Sequence, residues 1–253
     1  MHRSIYLLGS LLWVLSGCSH AYYTPNSLYL PLLESKHDVS LDGALVVGGG
    51  QSGYELKASY RPLSHVALMV NHFNISAGAM VSVFDEAQSG LTRITEAGLG
   101  YYDARSHHIF SLFGGYGGGF SQHKLNADAE VNLSLRRFFL QPGYMWKNEY
   151  FNIGAGLKLI RLDYPKGNVD LRLTSSFLGS SELTAIRNID KESPFWFVEA
   201  GGQLGIRYGA GTMGLFGNIL LKRDLVRYHF HGAIIGAQFG VNLHTLFAKK
   251  TKK

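Results

Sequence analysis

Segment after segment of this chain alternates in character with a period of two. In Phe195–Tyr208 one face carries Trp196, Val198, Ala200, Gly202, Leu204, Ile206 and Tyr208, and the other Glu199, Gly201, Gln203, Gly205 and Arg207. In the last such segment Ala233, Ile235, Ala237, Phe239, Val241 and Leu243 oppose Gly232, Ile234, Gly236, Gln238, Gly240 and Asn242. The same pattern runs through Tyr54–Tyr60, Phe151–Leu159 and Met213–Lys222. Side chains of a strand point alternately to its two faces, so this is the pattern of a sheet that is apolar on one side and polar or small on the other. A helical reading fails on period and on glycine: the chain has 31 glycines, dense within these segments, where each would weaken a helix. No stretch approaches the roughly 20 apolar residues of a membrane-spanning helix.

Ten segments are predicted as strands: 39–48, 53–60, 66–74, 94–102, 109–119, 135–147, 150–163, 195–208, 212–223 and 229–243. An even number suits a closed antiparallel barrel. The breaks at 61–65, 103–108, 147–149 and 209–211 are short. Those at 75–93, 120–134 and 164–194 are long and fall on the other side, with 49–52 and 224–228. Such segregation is the habit of outer-membrane barrels, with tight periplasmic turns and longer external loops. The expected architecture is therefore all-β: an up-and-down antiparallel transmembrane β-barrel of about ten strands. A soluble sandwich or lipocalin-like barrel is the competitor. Against it, the polar face is mostly Gly, Asn and Gln with a few charges. The apolar face carries Tyr54, Tyr60, Trp146, Phe151, Trp196 and Tyr208 near strand ends, where membrane girdles belong.

The front end reads as an export signal. Met1-His2-Arg3 is a short basic end, Ile5–Leu15 a short apolar core, and Leu15-Ser16-Gly17-Cys18 resembles the bacterial lipoprotein processing box. Cys18 is the lone cysteine, so no intrachain disulfide can form, and acylation (a palmitate-type chain) accounts for its solitude. The expected divisions are a signal peptide at 1–17, a lipidated tether at 18–38, a barrel at 39–245 and a basic tail at 246–253. The formal charge of +6 does not indicate nucleic acid: Arg3, Lys249, Lys250, Lys252 and Lys253 lie at the two ends, and 19 basic against 18 acidic residues are left in the body. The expected partners are outer-membrane lipid, with lipopolysaccharide phosphates as a candidate contact of Arg136 and Arg137, and a covalent lipid at Cys18.

Seven charges fall on faces that would point into the lumen: Glu55, Lys57, Glu96, Lys158, Glu199, Arg207 and Lys222. A barrel of eight strands is already filled by side chains, so charges inside ten strands must pair or meet water. A salt-bridged plug is expected, with a narrow polar conduit as the alternative. Glu199, midway along a regular strand, is the expected weak point. No catalytic residue, cofactor or metal site is expected. His107-His108 and His229/His231 offer no third ligand by spacing. The nearest approach to the His-x-Ser pattern of barrel hydrolases, His72-Phe73-Asn74-Ile75-Ser76, has the wrong spacing. Gly114–Gly119 lacks the Lys-Ser/Thr and helix of a phosphate loop.

Tyr22-Tyr23-Thr24-Pro25-Asn26, with Pro31-Leu32-Leu33 after it, and the turn Arg61-Pro62-Leu63-Ser64-His65-Val66-Ala67-Leu68-Met69 resemble small Bacteroidota outer-membrane lipoprotein barrels of unassigned function. The resemblance implies an address and a fold. In that phylum acidic residues after the acylated Cys tend to direct lipoproteins to the cell surface. Ser19-His20-Ala21 has none, which implies an outer-membrane lipoprotein anchored with its N-terminus facing the periplasm. The function expected is that of a non-catalytic membrane component with loops free for lipid or partner contact. A narrow channel and a lipid-modifying enzyme are the alternatives.

Overall fold

A computed structural model describes residues 22–48, 51–77, 89–126, 129–165, 169–173, 188–221, 230 and 232–248. Ten strands form the wall: β1 (Val39–Gly48), β2 (Gln51–Leu63), β3 (Val66–Ala77), β4 (Ser89–Arg105), β5 (His108–Asn126), β6 (Ala129–Lys147), β7 (Phe151–Asp163), β9 (Phe195–Tyr208), β10 (Gly211–Leu221) and β11 (Ala233–Asn242). Each pairs antiparallel with its neighbour in sequence, apart from the pairing of β7 with β9 across β8 (Val169–Leu173). The circle closes between β1 and β11, from Ser40↔Asn242 to Val47↔Ile235. The up-and-down ten-stranded barrel expected from the alternation is the fold observed.

The faces also follow the alternation. Leu45, Leu56, Ile153, Leu204, Leu215 and Phe239 stand on the outside more than half exposed, while Ala44, Glu55, Phe216 and Ile234 on the opposite parity are buried. A wall apolar on its outside, with every strand paired, satisfies its backbone internally and presents hydrocarbon to hydrocarbon. Trp196 and Tyr208 mark the two ends of the outer face of β9. Twelve residues at about 3.3 Å each, tilted by about 40°, separate them by roughly 30 Å along the axis, the thickness of a bilayer core.

At one rim the strands are joined by tight turns: Leu63 to Val66, Arg105 to His108, Lys147 to Phe151 and Tyr208 to Gly211. Gly209 at φ 63° takes the left-handed position of the last. The first residue of β1 and the last of β11 lie at this same rim. There Asn242 accepts a hydrogen bond from the Thr245 amide and so caps the C-terminal helix α1 (Leu243–Ala248). The barrel thus stops at Asn242, three residues short of the expected boundary.

Two differences lie at the opposite rim. Strands β4, β5 and β6 are 17, 19 and 19 residues long, well beyond the predicted segments and beyond the roughly 9–11 residues that cross a bilayer. The predicted connection at 164–194 contains β8, which pairs with Ala129–Leu133 of β6 beyond the reach of β7. Five residues are too few to register as a crossing strand, so alternation alone passes over them.

The third difference is the largest. Of the tether expected at 18–38, the described part begins inside the barrel: every residue from Tyr22 to Pro31 is buried, and residues 34–38 form a turn at the short-turn rim. This strap enters at the rim of the long connections, where Tyr22 and Tyr23 meet Tyr164 and Phe230, and leaves at the short-turn rim into β1. Twelve residues of extended chain reach about 36–40 Å, enough to run the whole lumen. Residues 1–17, expected as a signal peptide, Cys18, Lys222 and residues 249–253 of the expected tail lie outside the described residues.

The threaded lumen as candidate functional site

Among the described residues the strap joins the sheet at one parallel bridge, Tyr23↔Phe230, so its polar groups need partners from the wall. They find them along its length. Asn218 Nδ2 donates to the Asn26 carbonyl at 2.5 Å, Gln141 Nε2 to the Tyr29 carbonyl at 2.7 Å and Gln203 Nε2 to the Leu30 carbonyl at 3.2 Å. Tyr102 donates its hydroxyl to the Pro31 carbonyl (2.8 Å) and accepts from the Leu33 amide (2.9 Å). Pro25 and Pro31 have no N–H to satisfy, which suits a chain held this way. The polar side chains of the lumen wall thus serve as substitute backbone partners.

The same strap organises the charges. Glu96 is the hub: it accepts from Lys158 Nζ at 2.8 Å and from Asn26 Nδ2 at 2.7 Å, and pairs with Arg137 Nε at 2.7 Å. Arg137 Nη1 donates to the Tyr23 hydroxyl (2.7 Å), which donates to Glu199 Oε1 (2.6 Å). Glu199 Oε2 accepts from Asn218 Nδ2 (3.1 Å). Glu55 pairs with Lys57 at 2.8 Å and accepts from the Ser27 amide at 2.7 Å and from its hydroxyl. All six of these charged side chains are essentially inaccessible.

Of the seven expected lumenal charges, the structure therefore brings Glu55, Lys57, Glu96, Lys158 and Glu199 into this layer. Arg207 stands apart, part-buried at the short-turn rim, where it pairs with Glu34 of the strap at 2.9 Å. Lys222 lies outside the described residues. The wall charges neutralise one another directly at Glu96–Arg137, Glu96–Lys158 and Glu55–Lys57, and Tyr23, Asn26 and Ser27 of the strap add hydrogen bonds to the carboxylates. Glu199 has hydrogen-bonding neighbours, while Glu96 has the two direct cations. Arg137 was expected beside lipopolysaccharide, yet it is buried at the hub, and Arg136 alone of that pair points outward. Parity accounts for this: Trp146 faces outward on the same strand, so odd-numbered residues face in.

Inward glycines make the room. A Cβ on Gly143 would lie 2.4 Å from Leu30 Cδ2, and one on Gly154 2.9 Å from Leu30 Cδ1. In the Gly114–Gly119 run, a Cβ on Gly115 would meet the Phe139 ring at 2.4 Å and one on Gly117 the Glu96 side chain at 2.7 Å. These glycines accommodate strap and network rather than a phosphate. Two cavities flank the lower strap, one beside Tyr29 and Asn152 and one beside Glu34 and Ser40. Each is about 20 Å³, space for a water and little more.

At the short-turn rim the strap is fastened by a turn. Asp38 accepts from the Glu34 amide (2.5 Å), the Ser35 amide (2.9 Å) and hydroxyl (2.6 Å), and Asn242 Nδ2 (3.2 Å). His37 takes the left-handed conformation, φ 66°, and its ring stacks on Tyr60. Burial pushes the Asp38 carboxyl up, but these donors outweigh it and hold it below the ordinary value of 3.8. Glu34 is likewise held below 4.5: burial raises it, and the hydrogen bond and charge of Lys147, together with Arg207, more than offset that.

His107 bonds the Lys147 carbonyl and His108 stacks on Tyr144, both at the short-turn rim. His229 and His231 lie outside the described residues. Among the described residues no three His, Cys, Asp or Glu side chains converge as metal ligands would.

No protein-family model matches the sequence, and no curated protein does. Among solved structures, the translocator domain of autotransporter NalP from Neisseria meningitidis is similar over 81% of this chain and 86% of its own. The identity is 12% and the TM-score 0.37. CdiB from Acinetobacter baumannii is similar over 81% of this chain and 59% of its own, at 11% identity and a TM-score of 0.19. What this chain itself carries, ten antiparallel strands closed in sequence order behind an apolar outer wall, is the fold of an outer-membrane β-barrel.

Proposed function

We propose that this protein is an outer-membrane lipoprotein barrel, acylated at Cys18, that works as a sealed, non-catalytic membrane component. Its long connections contact lipid or a partner at one rim. The observation that carries the reading is the threaded lumen. A strap hydrogen-bonded to the inner wall from Asn26 to Leu33, with buried charges around it, supports a lumen packed with side chains rather than water. A conducting lumen usually carries an excess of one sign of charge over a water-filled section. The exposed Arg93 and Arg136, with Phe120 and Phe138 beside them on the outer wall toward the long-connection rim, suit contact with anionic headgroups.

Planar-bilayer recordings of the purified full chain test the sealing, with no steady conductance expected. Mass spectrometry of the mature N-terminus tests the lipid at Cys18. Lipid A and phospholipid profiles of a deletion strain, expected unchanged, test the absence of catalysis. A repeatable conductance or a changed acyl pattern sinks the corresponding part of the reading.

A further inference from the structure

The strap has a direction, and the direction assigns a side to whatever precedes it. Its N-terminal end is gripped at the long-connection rim. The Tyr23 ring packs against Phe197 at 5.0 Å and Phe230 at 5.7 Å, and Tyr164 donates its hydroxyl to the Tyr22 carbonyl at 2.9 Å. Its C-terminal end is gripped at the short-turn rim by Arg61, Lys147 and Arg207. The wall is continuous around it, with β1 and β11 paired over eight residues, so the strap communicates with the outside only through the two rims. The short-turn rim is already taken by its passage into β1. Cys18 precedes Tyr22 by four residues, at most about 14 Å of chain, against a wall roughly 30 Å tall.

We propose that the N-terminal end of the mature chain lies on the same face of the membrane as the long connections, opposite the short turns and helix α1. With short turns on the periplasmic side, that face is the cell exterior. The lipid then sits in the outer leaflet beside the long connections, not in the inner leaflet as Ser19-His20-Ala21 implies. The leaflet of the lipid rests on the proposed acylation; the side of the chain end does not. An acylated end cannot be drawn through a finished lumen packed this closely. The strap is therefore in place before β1 and β11 join, and the barrel closes around it.

Sidedness of single cysteines decides it, read with a membrane-impermeant maleimide on the folded, heat-modifiable band of the full chain. His20→Cys is expected to label in intact cells, and Ser106→Cys in a short turn only after the outer membrane is opened. Reversed accessibilities, or labelling of both sites on one side, would overturn the proposal, the second by showing that the strap is not threaded. The unaltered chain separates the lipid question. Labelling of Cys18 itself in intact cells, with no incorporation of radiolabelled palmitate, would sink the acylation while supporting the side of the N-terminal end, which Cys18 then reports directly; His20→Cys and Ser106→Cys are in that case read in a Cys18→Ser background.

Discussion

A buried carboxylate is worth having only while its partners remain, and that ranks the residues of the lumen. Glu96 neutralises Arg137 and Lys158 at 2.7 and 2.8 Å with no access to water. Removing it leaves two buried cations, and breaking such a pair costs about 3–5 kcal/mol. Glu199 accepts from Tyr23 and Asn218, and losing a hydrogen bond to a charged group costs about 1.5–3 kcal/mol. Glu96→Ala is therefore expected to lower the melting temperature of the detergent-folded barrel most, Glu199→Ala less and the exposed Glu149→Ala hardly at all; equal midpoints would point to a water-filled lumen. At the short-turn rim, Glu34 and Asp38 have folded pKa values below their ordinary 4.5 and 3.8. A depressed carboxylate contributes stability that is full above its ordinary value and is lost as pH falls through the folded one. Melting profiles from pH 7 to 2 should thus show Glu34→Gln and Asp38→Asn destabilised near neutrality, with the gap to the parent protein closing below about pH 4.

At the scale of elements, the strap and the glycines of the wall are complementary halves of one packing arrangement. Gly143 on β6 and Gly154 on β7 leave the space that Leu30 fills. Gly143→Val drives new methyl groups into Leu30, and overpacking of this kind costs about 1–3 kcal/mol. Leu30→Ala alone leaves a cavity at a cost of about 2–5 kcal/mol. The double variant should recover part of both losses, a coupling that a double-mutant cycle on thermal midpoints measures directly. Simple additivity would mean that Leu30 does not sit against this wall.

For the whole molecule, the strap is what makes the lumen solid. A chain lacking residues 22–32 is expected either to conduct steadily in planar bilayers or to lose its heat-modifiable band, while the full chain keeps the band and does not conduct. A strapless barrel as stable and as silent as the parent would show that the wall alone seals the lumen. The apolar exterior makes a further demand: the full chain should stay folded only in detergent or bilayer. A monomeric, folded preparation in plain buffer would restore the soluble barrel.

The wall was legible because a barrel strand has a period of two and its lipid-facing side is mostly apolar. Trp196 to Tyr208 and Ala233 to Val241 show their orientation in sequence alone, and the same parity places Glu96, Lys158 and Glu199 inside. Arg137 was equally legible by parity, but its position next to Arg136 read as a charged pair at a rim. Strand β8 was hidden by its length, since five residues do not cross a bilayer. The strap was hidden for a deeper reason. Tyr22–Pro31 shows no period of two because it is not a wall strand; its partners lie on separate strands, from Glu55, 28 residues from Ser27, to Asn218, 192 residues from Asn26. Local alternation determines a closed wall with an apolar outside. Which segment fills that wall, and from which end it enters, is settled only when hydrogen-bonding groups remote in sequence are brought around one lumen.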